Sequence, residues 1–531
     1  MISVGKSLQF KNRTYFYFLY LFSMILFLTS AVLCQDSLYL IGTITGESYA
    51  KRITEVKGIG DVNGDGYDDF MVTTNDKTVK LYLGSANFTL TPSVIFHYPD
   101  KDSLYEFGGC IGIGDVNGDG YDDFTINGSF YDGGYTNGKV FIYYGGPRVD
   151  TLPKYIFHGP GGVFNIGDIN KDGYNDFAIS QTYNWSNGKG MVYLFWGGDT
   201  ISFARNITFV DTQAIGKPID SFFGTSVANI GDVIGDGFDD IAISAGYSPS
   251  ETSEKVYIFY GGMKMDTIPD TVLTSNNLDY DFGRIIKNAG DLNKDGVTDF
   301  CIAGGSKVFV YKGRDNLKII NASTLGLGGY VNLETNCDMN HDGFGDFVIG
   351  NTNHRNSDSV MVGGAFVYFG GKNIDTVYKF KLEGENKWDE FSKIMSTADI
   401  NGDGYDELFI LSPGYPDYNN PLGKVYIYSY KKLTEVKENK QTTPYKFDLY
   451  QNYPNPFNPN TIISYQLPVA SYVSLKVYDI LGKKIKTLVY GLQKAGKHTK
   501  TFDGSSLSSG VYFYRLTVGQ FATQKSMMLV K

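Results

Sequence analysis

A nine-residue phrase recurs seven times along the chain, and no other feature restricts the fold so tightly. Its copies begin at Asp61, Asp115, Asp168, Asp232, Asp291, Asp338 and Asp399, and the first reads Asp-Val-Asn-Gly-Asp-Gly-Tyr-Asp-Asp. Successive starts lie 54, 53, 64, 59, 47 and 61 residues apart, so one supersecondary unit is repeated with loops of variable length.

The phrase is an arrangement of hard oxygen donors. In the first copy Asp61, Asn63 and Asp65 occupy positions 1, 3 and 5, Tyr67 offers its backbone carbonyl at position 7, and Asp69 closes the set at position 9. The same places are taken by Asp115, Asn117, Asp119, Tyr121 and Asp123 in the second copy, and by Asp168, Asn170, Asp172, Tyr174 and Asp176 in the third. The fifth copy has Asp291, Asn293, Asp295, Val297 and Asp299, and the sixth has Asp338, Asn340, Asp342, Phe344 and Asp346. The seventh has Asp399, Asn401, Asp403, Tyr405 and Glu407. Side-chain oxygens at i, i+2 and i+4 converge only in a tight coil, for which the invariant Gly at position 6 supplies positive φ. Such donors suit Ca²⁺ rather than Zn²⁺ or Cu²⁺. The expectation is up to seven Ca²⁺ sites. The fourth copy keeps Asp232, Asp236, Phe238 and Asp240 but has Ile234 at position 3, so its site is expected to be weak or empty.

An EF-hand begins in the same way but needs a bidentate Glu at position 12 and flanking helices. Position 12 here is Val72, Ile126, Ile179, Ile243, Ile302, Ile349 or Ile410, within short runs that read as strands. The loops therefore join β-strands.

Four runs recur around each phrase: A leads in, B leads out, C is an aromatic run such as the one from Lys139 ending in Gly-Gly, and D is short, as at Val94 and Tyr155. D follows C near 94, 155, 207, 271, 318 and 378, but not after the seventh C run at Lys424. A run from Leu38 supplies the missing strand, giving seven groups of four and closing the ring without an open edge. His97 and His158 fall at equivalent D positions and are expected to be packing residues.

The repeated pattern of Phe-Gly followed by the metal phrase resembles the FG-GAP repeats of integrin α-subunit propellers and their bacterial relatives, over about residues 38–430. The Phe-Gly half is clear at Phe107-Gly108, Phe223-Gly224 and Phe282-Gly283. The resemblance implies an all-β fold, a seven-bladed β-propeller with Ca²⁺ in the A–B loops, and often adhesion or ligand binding.

A polar linker at 431–445 precedes a module at 446–531 that opens on Pro454, Pro456 and Pro459 among asparagines. Alternating runs at 462–467, 473–478, 511–516 and 526–530 read as a small antiparallel β-sandwich. The proline entry, the run from Val477 to Gly482, the run from Ser509 to Leu516 and Lys531 resemble the C-terminal sorting domain of type IX secretion substrates. That resemblance implies handling by the type IX secretion machinery and release or attachment at the cell surface.

The remaining composition fits an exported protein. Residues 1–34 place Lys6, Lys11 and Arg13 before an apolar run, which reads as a signal peptide cleaved near Cys34. An uncleaved anchor and a lipoprotein cysteine at Cys34 are the alternatives. Cys110, Cys301 and Cys337 form no framework and are expected to be buried thiols. Net charge is −10, which argues against nucleic acid as a partner.

Strand alternation puts the A–B loops on one face and the B–C loops on the other. Several B–C loops carry Tyr or Trp among small polar residues, with Tyr131, Tyr135, Tyr183, Trp185, Tyr415 and Tyr418. Such loops suit an extracellular protein or glycan ligand. The expectation is a monomeric, secreted or surface-attached calcium-binding adhesin without catalytic residues. The alternative is a polysaccharide hydrolase or lyase, for which His354 beside Arg355 is the candidate.

Overall fold

The computed structural model describes residues 37–531, apart from 100–103, 133–134, 160, 183–189, 202–206, 212–221, 246–253, 275–280, 315–316, 318, 324–330, 373, 375–376, 432–447, 468–470, 495 and 519–520. The expected signal segment lies outside these residues, as does all but the first residue of the expected linker. Two compact units divide at Leu433 and Thr434.

The described residues are all-β apart from one short 3₁₀ turn at Tyr49–Lys51. The first unit contains seven four-stranded antiparallel sheets. In the first sheet the order is A (Ile53–Gly60), B (Asp69–Thr74), C (Thr78–Tyr82) and D (Val94–His97). The A strands of the next six sheets are Leu104–Gly114, Val163–Gly167, Phe223–Gly231, Ile285–Gly290, Val331–Cys337 and Ile394–Ala398. In the last sheet the outer place is taken by Ser37–Thr45, which pairs antiparallel with Lys424–Lys431 from Ser37 opposite Lys431 to Thr45 opposite Lys424. The N-terminal strand thus occupies the position the missing D run left open.

B strands are buried on both faces, and this explains their unbroken apolar runs. An aromatic pair recurs between B and C: Phe70 stacks on Tyr82 at 4.8 Å, Phe124 on Tyr143 at 5.2 Å and Phe300 on Tyr311 at 4.9 Å. The core is divided among the junctions between neighbouring sheets. One cluster joins the first and second sheets through Met71, Phe96, Phe124 and Phe141. Another joins the last to the first through Ile53, Val56, Phe70, Phe409, Val425 and Ile427, so the series of junctions returns to its start. The Phe of each clear Phe-Gly pair is buried in such a junction: Phe107, Phe223 and Phe282.

Cys110, Cys301 and Cys337 are free and buried, and burial pushes their thiols up. His97 and His158 depart from expectation. Both are exposed at the ends of their D strands, where the alternation turns them outward.

The second unit has a three-stranded sheet, Asp448–Leu449, Asn460–Leu467 and Gly496–Asp503. Its partner sheet has the order Lys484–Gln493, Ser471–Tyr478, Gly510–Val518 and Phe521–Leu529. One core, including Leu449, Ile463, Leu475, Tyr514 and Leu529, fills the unit. The Tyr514 hydroxyl donates to the Tyr450 carbonyl and accepts from the Asn452 amide, both at 2.8 Å, fixing the chain before the prolines. Asn452 Nδ2 then donates to the Pro454 carbonyl at 3.0 Å and to Thr461 Oγ1 at 2.9 Å.

Candidate metal loops and the belt they form

Each phrase sits between its A and B strands and is organised by its own carboxylates. In the first loop Asp61 Oδ1 accepts from the amides of Gly64 (2.7 Å) and Asp65 (3.1 Å), and Oδ2 accepts from Gly66 (2.7 Å). Asn63 Oδ1 accepts from the Asp65 amide at 2.9 Å, and Asp65 Oδ1 from the Tyr67 amide at 3.1 Å. Loops two and seven repeat the five contacts, with the side chains at positions 1, 3 and 5 accepting from the amides of positions 4 to 7. The fourth loop keeps the contacts made by Asp232 and Asp236, while Ile234 contributes none and packs instead against the core between the fourth and fifth sheets. Position 6 requires Gly for its backbone: φ runs from 79° at Gly343 to 96° at Gly237. At Gly66 and Gly120 a Cβ would meet nothing, so the demand there is purely conformational.

Position 9 differs from positions 1, 3 and 5 in being fully buried. Asp69 Oδ2 accepts from the Val62 amide at 3.0 Å and Oδ1 from the Gly84 amide at 2.8 Å, tying the loop to the end of strand C. Burial pushes this acid up to about 7. The same cause raises Asp123 to about 8, Asp176 and Asp240 to about 7, Asp299 to about 6, and Asp346 and Glu407 to about 8. Nearby loop carboxylates add to the shift in every case.

Among the described residues no three His, Cys, Asp or Glu side chains gather into a metal-ligating group. The position 1 and 9 carboxylates are held to backbone amides, each oxygen keeping further acceptor capacity. The donor set nevertheless fits a hard cation. In the sixth loop Asn340 Oδ1, from position 3, is buried with no hydrogen-bond partner. Buried oxygens of this kind are costly unless an ion or donor meets them. In every loop but the fourth, where Ile234 brings no oxygen, the residues that would hold Ca²⁺ are those at positions 1, 3, 5, 7 and 9, and the ion would supply positive charge to desolvated carboxylates.

The loops are also linked to one another, which the sequence reading missed. The position 8 amide of one loop donates to the position 1 carbonyl of the loop before it: Asp122 to Asp61 (3.1 Å), Asn175 to Asp115 (2.9 Å), Thr298 to Asp232 (3.3 Å) and Gly345 to Asp291 (3.3 Å). Asp68 to Asp399 (3.1 Å) joins the first loop to the last. At three of the four Asp residues at position 8 the side chain also accepts from the position 1 amide: Asp122 Oδ2 from Asp61 (3.0 Å), Asp68 Oδ2 from Asp399 (3.0 Å) and Asp406 Oδ2 from Asp338 (2.9 Å), while Asp239 Oδ2 accepts from Asn229 Nδ2 (2.8 Å). Position 7 aromatics complete the belt. The Tyr121 ring lies where a Cβ on Gly64 would be, 2.6 Å away, so position 4 is Gly there. Where position 4 is larger it meets the next aromatic directly: Lys171 Nζ lies 5.3 Å from the Phe238 ring, Lys294 Nζ 4.3 Å from Phe344, and His341 5.5 Å from Tyr405. The adjacent acids at 68–69, 122–123, 239–240 and 406–407 were the available signal.

On the opposite face, Tyr183 and Trp185 lie outside the described residues, as do the side chains of Tyr131 and Tyr135. Tyr415 packs under the Lys424 ammonium at 4.5 Å. Tyr418 is 58% and Tyr49 54% exposed, and both line a groove of about 550 Å³ with Arg52, Glu390, Lys393 and Asn419. His354 Nε2 lies 2.8 Å from Glu383 Oε1, and its ring stands edge-on to Phe366 at 5.2 Å. That engagement accounts for the residue through ring packing and a hydrogen bond with a carboxylate.

Comparison with known proteins matches these two units separately. Residues 61–126 match an FG-GAP-like repeat and 394–428 an FG-GAP repeat, while 451–531 match a secretion system C-terminal sorting domain. Integrin alpha-PS2 of Drosophila melanogaster is 30% identical over 201 residues, covering 34% of this chain and 14% of the relative. Integrin alpha-V of Gallus gallus is 27% identical over 199 residues, covering 35% and 19%. The chain thus spans less than a fifth of these relatives' length. It carries FG-GAP repeats of a β-propeller, homologous to integrin α-subunits, and a type IX secretion sorting domain that directs it out of the cell or onto its surface. Among the described residues no helix is long and apolar enough to cross a membrane.

Proposed function

We propose that the chain is a monomeric adhesive protein that binds an extracellular protein or glycan on the face away from the metal loops, with Ca²⁺ in those loops as scaffold. The observation that carries this reading is the groove beneath Tyr49 and Tyr418. Two exposed aromatic rings, a guanidinium at Arg52 and amide and carboxylate groups at Asn419 and Glu390 combine stacking area with directional polar contacts. Arg52 lies 5.6 Å from the Tyr49 ring, which orders the platform. The metal loops, by contrast, spend their polar groups on one another and on the belt.

Glycan and protein arrays probed with the full chain test the reading. Replacing Tyr49 and Tyr418 together by Ala should abolish the array signal while leaving the melting temperature unchanged. An unaltered binding profile in that variant would sink the assignment of the face.

A further inference from the structure

The A strands surround an axial channel of about 880 Å³, a volume within the range of about 300–1,000 Å³ typical of small-molecule sites. Its charges are sorted along the axis. At the metal-loop end stand Asp122 and Asp239, already engaged by the Asp61 amide (3.0 Å) and by Asn229 Nδ2 (2.8 Å). Strand A of the first sheet reaches that end at Gly60, beside the Asp122 carboxylate, and three residues back, about 10 Å away at the rise of an extended strand, is Lys57. It faces Lys287 of the fifth sheet and Glu334 of the sixth.

These groups do not balance. Lys287 Nζ lies 3.2 Å from both oxygens of Glu334, so that acid is committed. Glu55, two residues before Lys57, turns its Oε2 to the amides of Gly109 (2.7 Å) and Cys110 (3.3 Å). Among the described residues the Lys57 side chain makes no ion pair or hydrogen bond, although it lines the channel and keeps partial exposure to it; Glu334 and Glu55 attract it only from beyond hydrogen-bond reach. Lys287 opposite, followed by burial, holds the Lys57 ammonium below its usual range. Two like charges facing each other across a confined space repel. Arg284, three residues before Lys287, adds a third cation toward the end away from the metal loops.

We propose that this channel is a binding site for a small ligand bearing an oxyanion, a carboxylate or a sulfate-type ester, whose charged group sits between Lys57 and Lys287. The anion removes the repulsion between the two ammonium groups and gives Lys57 its missing partner. The side-chain amide nitrogens of neighbouring Asn165 and Asn288, whose oxygens accept from Gly167 and Gly290, can donate to the hydroxyls of a polyol, and the Thr335 hydroxyl, which donates to the Asn288 carbonyl, can accept from one. The site is separate from the Tyr49–Tyr418 groove, and it stands or falls independently of the adhesive reading.

Isothermal titration of the full, calcium-supplied chain with inorganic sulfate, D-galacturonate and neutral D-galactose tests this. At least one anion should bind, more weakly as salt is raised, and galactose should not. Saturation by sulfate alone assigns an ester, and by galacturonate alone a uronate-type carboxylate. Lys57→Met should weaken anion binding at least tenfold, Lys57→Arg should retain it, and both should keep the parent melting temperature or exceed it. Failure of both anions to bind the parent chain overturns the proposal. So does undiminished binding in the Lys57→Met variant, or galactose binding as tightly as galacturonate.

Discussion

The two units bury their antiparallel sheets in opposite ways: the propeller covers both faces of its B strands, whereas the sorting-domain strands alternate and bury one face. The sorting-domain unit gathers its apolar residues into one core, with Tyr465 and Tyr514 at its centre, and its described residues include no repeated acidic loop. The propeller has no single centre. Its core is cut into junctions, each shared by two neighbouring sheets, and the space on its axis is polar. Stability in such an arrangement is a sum of nearest-neighbour terms, so it rests on every junction being present. The carboxylate loops bind those junctions together at one end. A unit with one core can lose an edge and survive; a series that returns to its start loses two junctions when any one sheet fails.

Removal of residues 37–45 should therefore produce the largest effect. It uncovers Lys424–Lys431 and leaves Tyr428 and Ile427 beside an open edge, which invites pairing with other chains. Differential scanning calorimetry should show the propeller transition lost or replaced by aggregation, with the sandwich transition in place. A propeller transition of unchanged temperature and enthalpy would show that the junctions do not depend on closure.

Calcium removal comes next. If each occupied loop adds about 2.7 kcal/mol at an ion concentration a hundredfold above its dissociation constant, chelation should lower the propeller melting temperature by roughly 10 °C or more. The sandwich transition should not move. Equal shifts in both units, or none in either, would break the comparison.

The pH profile sharpens it. The position 9 acids have folded pKa values raised to between about 6 and about 8, above those of an unfolded Asp or Glu. A raised folded pKa means that folding takes up protons. In chelator the propeller should therefore be most stable below about pH 4 on this account, and lose stability as pH rises from about 4 to about 8. Calcium should cancel the loss by stabilising the ionised form. Melting curves at pH 5.5 and 8.5, with and without the ion, check the sign. A chelated propeller that gains stability over that interval would refute it.

How much of this was readable in the chain follows from what each element contacts. Strands B and C are legible because both their faces are buried and their aromatics repeat, as at Phe70 and Tyr82. The borrowed strand at Ser37–Thr45 is legible by counting, since one D run was absent. Lys484–Gln493 and Gly496–Asp503 escape notice because lysines occupy much of their outer face, leaving Val489 and Phe502 as thin apolar signals. His97 and His158 were misjudged because equivalence along the repeat says nothing about which side of an outer strand a residue faces. Positions 1 to 9 show their local chemistry in sequence, whereas position 8 acts on a different loop, and one-dimensional spacing does not reveal the partner. Lys57 and Lys287 are still less visible, being 230 residues apart.

Smaller changes within one loop complete the ranking. Gly66→Ala meets no atom, so its cost comes only from φ of 86° and should be about 1 kcal/mol. Ile234→Asn should act in two directions. Ile234 now packs against the junction core of the fourth and fifth sheets, so exchanging it for an amide should destabilise the calcium-free protein by about 1 kcal/mol. The same change restores the position 3 oxygen that the other six loops possess. With calcium, the variant should bind one more ion per chain by atomic emission and recover the parent melting temperature. Unchanged stoichiometry beside the same loss without calcium would mean that position 3 serves packing in this loop alone. The fourth loop would then be held by its belt contacts, through Thr298 and Asn229, rather than by an ion.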